Sequence, residues 1–448
     1  MPVAAVLSTV LLAVGTPAAA GSPAARLEPC TVPGSTEPVR CGSVSVPEDR
    51  SRPDGRRIDL RVVVIPAVKP DPAMAPLYDL AGGPGLAATG GADFYLTAGQ
   101  AYRQARDIVL VDQRGTGASA PLACPELAGT GTTYPDAAVR ACRERLAKQA
   151  DLSRYTTADT VADLQAVRAA LGHKQVDLFG ISYGTRLALA WIAAEPGAIR
   201  SAVLLGTVPE DARVPLWHAR HAQDTLDAVF ADCRADAACT AAHPTLARDW
   251  ETLLARADFD GAARERMRSS MVATPGLRSL PLRIAQMAAA GPPAAAAPAG
   301  PPIAEGLYLS VTCAEDVPWI APADRAAATA GTFLGSYRID RQAAACAIWD
   351  VPRRKVPYPQ GGSDVPVLFV AGERDYVTPV AWANAVASRF PRSRVVPVPF
   401  LGHFPDGLSG MECIDTMVLA FAAKPDPSAI QTGCVASMRP GPFDTAAK

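Results

Sequence analysis

Charge is sparse in this chain, and neither sign prevails. Asp, Glu, Lys and Arg make up 19% of the 448 residues, against about 25% in an ordinary soluble protein, and 43 basic against 44 acidic residues leave a formal charge of −1. No basic stripe is available to neutralise phosphates, which removes the electrostatic footing for nucleic-acid binding. Histidine is scarce, five in all, and no Cys-x-x-Cys pair occurs. A zinc site is therefore not expected, and no organic cofactor is implied. Long hydrophobic runs are also missing: the apolar stretch 3–14 falls short of the roughly 20 residues a spanning helix needs, so no stable membrane insertion is expected. What is plentiful is apolar bulk. At 49% hydrophobic residues the chain can bury a large core, which excludes a disordered or collagen-like polymer, and its length allows one to three folding units.

The apolar stretch 3–14 is followed by "GTPAAAGS", in which Ala18-x-Ala20 forms a small-residue cleavage site. Residues 1–20 are read as a signal peptide cut near Ala20, although no Lys or Arg precedes the apolar run. Cysteine usage agrees with export. The ten cysteines fall into neighbouring pairs: Cys30 with Cys41, Cys124 with Cys142, Cys233 with Cys239, Cys313 with Cys346, and Cys413 with Cys434. An even number without metal-ligand spacing fits five disulfides in an oxidising, extracellular setting, with connectivity left open by the sequence.

Strand-like and helical stretches alternate along the chain. "CGSVSVPED" and "RRIDLRVVVIPA" open it as strands; "APLYDL" and "RDIVLVD" follow as continuous apolar runs suited to parallel strands, ending in the turns "AGGPG" and "QRGTG". "TTADTVADLQAVRAALG" reads as a helix, with Val161, Leu164, Val167 and Leu171 at helical spacing. Thr157 is its expected cap, Asp159 and Asp163 favour the positive end of its dipole, and Gly172 closes it. The strand "KQVDLFG", the helix "ISYGTRLALAWIAAE" and the strand "IRSAVLLG" continue the α/β alternation. From 208 to 362 the pattern turns polar and helical, with the low-complexity run 288–302 inside it; residues 363–448 resume strands and helices. A sheet domain in two parts, 21–207 and 363–448, with a helical insertion at 208–362, is the expected organisation.

"GISYG" sets Ser182 in a G-x-S-x-G frame, which is a weak signal alone. Its place between an apolar strand and a helix sharpens it, because a nucleophile elbow needs strand, tight turn and helix. A serine hydroxyl attacks only when a base takes its proton. His173 precedes the elbow strand and His218, His221 and His243 fall in the insertion, which leaves His403, in "PFLGHFPDG", as the candidate base. Asp375, after the apolar strand in "VPVLFVAGERDYVTP", is the preferred acid, with Glu373 and Asp406 as rivals. The backbone N–H of Tyr183 is one candidate oxyanion donor, and the "AGGPG" loop is placed to give another.

"GGPG", "DQRGTG", "GISYGTRLAL", "GERDYVTP" and "GH", in this order, resemble the prolyl-iminopeptidase and tripeptidyl-aminopeptidase branch of the α/β-hydrolases. The cysteine-bearing C-terminal portion resembles exported members with a TAP-like C-terminal region, and the similarity runs over residues 44–435, loosely in the insertion. The resemblance implies an α/β-hydrolase fold, a mostly parallel sheet flanked by helices, with an inserted, mainly helical cap. It also implies Ser182 as nucleophile, Asp375 and His403 as its partners, and Gly83 with Tyr183 as oxyanion donors. Where relatives carry His, Asn or Pro before the GGPG, this chain has Ala81. Aminopeptidases of this branch hold the substrate amine with acids from the cap, and Glu315 and Asp316 in "SVTCAEDVPW" are candidates for that clamp, against the plainer reading of solvated acids. The expected function is a secreted serine aminopeptidase acting on a peptide. An esterase, lactonase or tailoring hydrolase for a small metabolite is the alternative, because one triad serves any activated carbonyl.

Overall fold

A computed structural model describes residues 25–293, 303–357 and 362–446. The expected signal peptide, and the 288–302 run from residue 294 onward, lie outside the described residues. Nine strands form one sheet: β1 (Leu27–Cys30), β2 (Val39–Pro47), β3 (Arg57–Ile65), β4 (Leu77–Leu80), β5 (Ile108–Val111), β6 (Val176–Ile181), β7 (Ile199–Leu205), β8 (Val367–Gly372) and β9 (Ser393–Val398). Their spatial order is β1-β2-β3-β5-β4-β6-β7-β8-β9. The first three strands pair antiparallel and β3 lies antiparallel on β5, whereas every pairing from β5 to β9 is parallel. Side chains leave alternate faces of each strand, so the apolar runs split cleanly. Val62, Val64, Leu178, Leu204 and Phe369 enter the core on one face; Val63, Ile65, Val203, Leu205, Leu368 and Val370 enter the other. Burial on both faces is why these strands read as continuous rather than alternating.

Helices α1 (Asp136–Leu146), α2 (Thr157–Ala170) and α3 (Tyr183–Ala194) cover the first face. The boundaries of α2 follow its sequence pattern, but its cap does not. Thr156, not Thr157, caps it by accepting the Asp159 N–H, while Thr157 is fully buried and turned toward Glu315. Asp163 is buried as well and takes a bidentate bond from Arg114, 2.7 Å at each contact, so an internal ion pair rather than the dipole holds it. Gly172, at φ +74°, closes the helix as expected.

Between β7 and β8 lie α4 (His218–Ala235), α5 (Gly261–Ser270), α6 (Leu280–Ala290), α7 (Glu305–Glu315) and α8 (Tyr337–Trp349), with shorter helical turns among them. This insertion is not one unit. Leu226, Met267, Leu280 and Ile284 of its first half form a separate apolar cluster, whereas Leu309, Val311, Ala345 and Trp349 of α7 and α8 join the core on the sheet. The cause is in α7, where every residue from Gly306 to Glu315 is buried: a helix apolar on all sides needs cover on all sides. The chain then returns through α9 (Val380–Ala387) and α10 (Glu412–Ala423), which pack on opposite faces of the sheet. The C-terminal segment reaches back to the insertion: the Phe443 ring lies under the Arg278 guanidinium, and His243 Nε2 sits 2.9 Å from the Asp444 carbonyl. No helix among the described residues is long and apolar enough to cross a membrane.

All ten cysteines are bonded, and the connectivity that the sequence left open is the neighbouring one, with Cα separations between 5.0 and 5.9 Å. Cys30 and Cys41 tie the edge strand β1 to β2, and Cys124 and Cys142 tie the segment after β5 to α1. Cys233 and Cys239 close the turn at the end of α4. Cys413 of α10 bonds Cys434 in the C-terminal segment. Cys313 and Cys346 join α7 to α8 across 33 residues. A loop of that length restricts the unfolded chain by about 3.7 kcal/mol, so replacing both residues by Ala should lower the denaturant midpoint measurably. Thiol titration of the untreated protein, denatured without reductant, should find no free thiol.

Candidate active site

Gly180 and Gly184 let Ser182 stand where it does. Ser182 sits between β6 and α3 at φ 55°, ψ −123°, a region a serine occupies only under constraint. A Cβ on Gly184 would overlap the carbonyl oxygen of Leu80, and one on Gly180 would lie 2.7 Å from the Gly184 carbonyl. With both side chains missing, the start of α3 presses against β4 and β6, and the turn between them is sharp enough to lift Ser182 off the sheet. The "AGGPG" loop passes directly beside it: a Cβ on Gly82 would come within 3.2 Å of Ser182 Cβ.

His403 and Asp375 approach the same edge from the ends of β9 and β8. Both are buried, and His403 Nδ1 lies 2.8 Å from Asp375 Oδ2. The other carboxylate oxygen accepts the N–H groups of Val377 and Thr378 at 2.8 and 2.9 Å, and the Thr378 hydroxyl donates to Oδ2 at 2.5 Å. Burial opposes ionisation of Asp375, but the His403 imidazole and these donors outweigh it and hold the carboxyl below the ordinary carboxylate range. Of the rival acids, Glu373 is exposed, and the His403 ring bonds to Asp375. His173 is taken by the Tyr78 hydroxyl at 2.9 Å. The backbone N–H of His403 donates to the Val272 carbonyl in the insertion at 2.8 Å, so the loop that carries His403 is anchored there.

Gly206 ties the groups together, and nothing in its sequence neighbourhood marked it. It follows Leu205, whose carbonyl accepts the Ser182 N–H at 2.9 Å. A Cβ on Gly206 would lie 2.7 Å from Thr378 Oγ1, 3.4 Å from His403 Cε1 and 3.5 Å from Asp375 Oδ2. Thr378, the donor to Asp375, was likewise not singled out by the sequence. The "DQRGTG" stretch proves to be a brace rather than a plain turn. Asp112 accepts the N–H groups of Thr89 and Ala118, and the Gln113 amide donates to the Ala81 carbonyl at 2.9 Å, holding the loop beside Ser182.

Glu315 and Asp316, expected as an amine clamp or as solvated acids, are neither exposed nor free. Glu315 accepts the Thr157 N–H and hydroxyl at 2.7 and 2.6 Å, and Asp316 takes a bidentate bond from Arg186 of α3 at 2.8 and 3.0 Å. All four carboxylate oxygens are engaged inside the protein, because a buried charge is tolerated only with such partners. These acids lock α7 to α2 and α3, and each carboxylate already has its partners inside the protein. Burial pushes the Glu315 carboxyl up to about 7, against the pull of Arg186. Among the described residues, Cys124, Glu126 and Cys142 bring potential metal-ligand atoms together, but both sulfurs are in a disulfide and Glu126 is bonded to Arg145.

Residues 80–405 match the family profile described as alpha/beta hydrolase fold. The chain is 30% identical over 207 residues to a tripeptidyl aminopeptidase of Streptomyces lividans, covering 41% of this chain and 37% of that one. It is 29% identical over 221 residues to the serine protease Hip1 of Mycobacterium tuberculosis, covering 44% and 42%. The chain thus spans about two-fifths of the length of these curated relatives. Among solved structures, a proline iminopeptidase of Mycobacterium smegmatis is similar with a TM-score of 0.47 at 20% identity, over 86% of this chain and 99% of that one.

Two outcomes follow from this geometry. Gly206→Ala should displace Thr378 and the His403–Asp375 pair, and kcat/KM, or the rate of fluorophosphonate labelling, should fall on the order of a hundredfold while the protein stays folded. Glu315 contributes a pH dependence of opposite sense to an ordinary ion-paired acid. Its native carboxyl titrates near 7, above the 4.5 of an unperturbed glutamate, so the stability it brings is complete below about pH 4.5 and is lost as pH rises through 7. Glu315→Gln removes that titration. Melting temperatures of variant and parent should therefore shift relative to each other in the variant's favour between pH 5 and pH 8; a constant difference would mean that Glu315 is ionised throughout.

Proposed function

This chain belongs to the alpha/beta hydrolase fold family, and from that premise we propose that it is an exported serine peptidase that releases residues from the N-termini of peptides. The observation that carries the reading is the seating of Ser182 on a strained turn, with the "AGGPG" loop on one side and, across Gly206, the bonded His403–Asp375 pair on the other. In this reading His403 takes the proton from Ser182 Oγ as the oxygen attacks the peptide carbonyl carbon. Asp375 fixes the ring through Nδ1–H and stabilises the imidazolium that forms. The N–H groups of Gly83 and Tyr183 receive the developing oxyanion, His403 returns its proton to the leaving amine, and water then releases the acyl group by the same route. The names of the relatives, a tripeptidyl aminopeptidase and a probable proline iminopeptidase 35% identical over 136 residues, support action at a free N-terminus. The five disulfides support export, together with the apolar stretch 3–14 and its Ala18-x-Ala20 site.

Ser182→Ala should abolish both turnover and fluorophosphonate labelling without loss of fold, since a hydroxyl is removed and no large cavity is created. Di- and tripeptidyl anilides with a free amine should then be compared with their acetylated forms and with short neutral esters. A kcat/KM at least about tenfold higher for the free-amine anilides is expected. Equal rates on free and blocked anilides, with faster turnover of the esters, would replace the aminopeptidase reading by an esterase.

A further inference from the structure

A cavity of about 540 Å³ opens between the first half of the insertion and the start of α7. It adjoins the candidate site on two sides. Ile303 on its rim packs so closely on Gly85, the last residue of the "AGGPG" loop, that no Cβ would fit there. On the other side Arg268 donates at 2.7 Å to the hydroxyl of Tyr376, the residue after Asp375.

The charge in this cavity is unbalanced. Arg266, Arg268, Arg283 and Arg338 line it, against Glu265 and Glu305. Arg268 takes both oxygens of Glu265, at 2.8 and 2.6 Å. Arg338, almost fully buried, must share that same carboxylate: its Nε lies 3.5 Å from Glu265 Oε1 and makes no hydrogen bond, while its guanidinium donates to the Tyr308 hydroxyl and lies against Tyr134 and Tyr308. Glu305 brings the count of acids only to two against four guanidinium groups. Its oxygen accepts the Tyr134 hydroxyl at 3.1 Å, and burial raises its pKa against the pull of that hydroxyl and of Arg338. Arg283 is half-buried on α6, and among the described residues no acid pairs with it; burial alone acts on its charge, pulling its pKa down. Partly desolvated guanidinium groups without enough carboxylate are held at a penalty that an incoming anion relieves, and a guanidinium fork binds a carboxylate in two bonds.

We propose that this cavity binds a carboxylate carried by the substrate, with Arg283 as its direct partner and Arg338 supplying the second positive charge, so that the preferred substrates are short anionic peptides. The inference rests on the serine-peptidase reading for what happens to the substrate, not for the binding itself. The carboxylate has two sources, an acidic side chain near the N-terminus or the free C-terminus of a short peptide.

Binding to the Ser182→Ala protein, measured by calorimetry, tests the proposal whether or not the parent cleaves peptides. Three probes suffice: Glu-Ala-Ala-Ala-amide, Ala-Ala-Ala-Ala with a free C-terminus, and Ala-Ala-Ala-Ala-amide. At least one carboxylate-bearing probe should bind about ten times or more tighter than the neutral amide, and which one does so identifies the source. The preference should shrink as ionic strength rises. Adding Arg283→Gln should bring the ratio of acidic to neutral affinity close to one, while Arg283→Lys, which keeps the charge and loses the fork, should retain part of it. Equal affinities for all three probes, or an acidic preference that survives Arg283→Gln in a protein with unchanged melting temperature, would overturn the proposal. If anionic probes bind as expected but the parent cleaves no peptide, the peptidase reading fails and the anion site stands.

Discussion

The contact that everything at the candidate site leans on is the pressing of the α3 start against the carbonyl of Leu80. Because Gly184 brings no Cβ to that contact, the helix lies low on the sheet and the turn before it has to be tight. The strain at Ser182 follows from the same approach, and is sustained by the packing of α3 in the core through Leu187 and Trp191. Leu80 is also the last residue of β4 before the "AGGPG" loop, so one contact places the serine and sets where the loop beside it begins. The Gln113 amide then fixes the loop from the neighbouring strand end.

Buried charge does a comparable job at longer range. Arg114 with Asp163, Arg186 with Asp316, and Glu315 with Thr157 bind the segment after β5 and the helices α2, α3 and α7 to one another. Each group would be expensive to bury alone, so each specifies one arrangement of its neighbours and tolerates few others. The second half of the insertion is thereby part of the hydrolase core in all but sequence position. The first half is different. It has its own apolar cluster, and its contacts with the rest include the loop of His403, Arg374, Tyr376, Trp382 and the C-terminal segment. Tyr376 belongs to that cluster and Val377 packs against it; both follow Asp375 directly, so the first half of the insertion and the His403–Asp375 pair are packed as one piece.

The sheet was legible because parallel strands buried on both faces leave short apolar runs, and the tight turn at Ser182 because two glycines flank it between an apolar strand and a helix. The cysteines could be set out as neighbouring pairs, since short loops bring their ends together cheaply, but which sulfurs bond is seen only in the folded chain. What could not be read was the set of contacts made between distant segments. Thr157 and Thr156 are equivalent as capping residues until Glu315 claims one of them. Glu315 and Asp316 look like surface acids in a helical stretch until Arg186, itself indistinguishable in sequence from a solvated arginine, is found buried beneath them. Gly206 and Thr378 matter only because strands β7 and β8 are neighbours, a fact about pairing that no local pattern carries.

That neighbourhood has a consequence for how the molecule forms. Strand β7 hydrogen-bonds β8, yet the whole insertion is synthesised between Leu205 and Val367. Until it has emerged, β7 is an edge strand, apolar on both faces and with one row of peptide groups unpaired, which is the arrangement most prone to pairing with another chain. Closing it is a long-range event that local helix formation in the insertion does little to hasten. The hazard of this fold therefore lies in its assembly: productive folding is a race between a distant strand of the same molecule and the exposed edges of its neighbours.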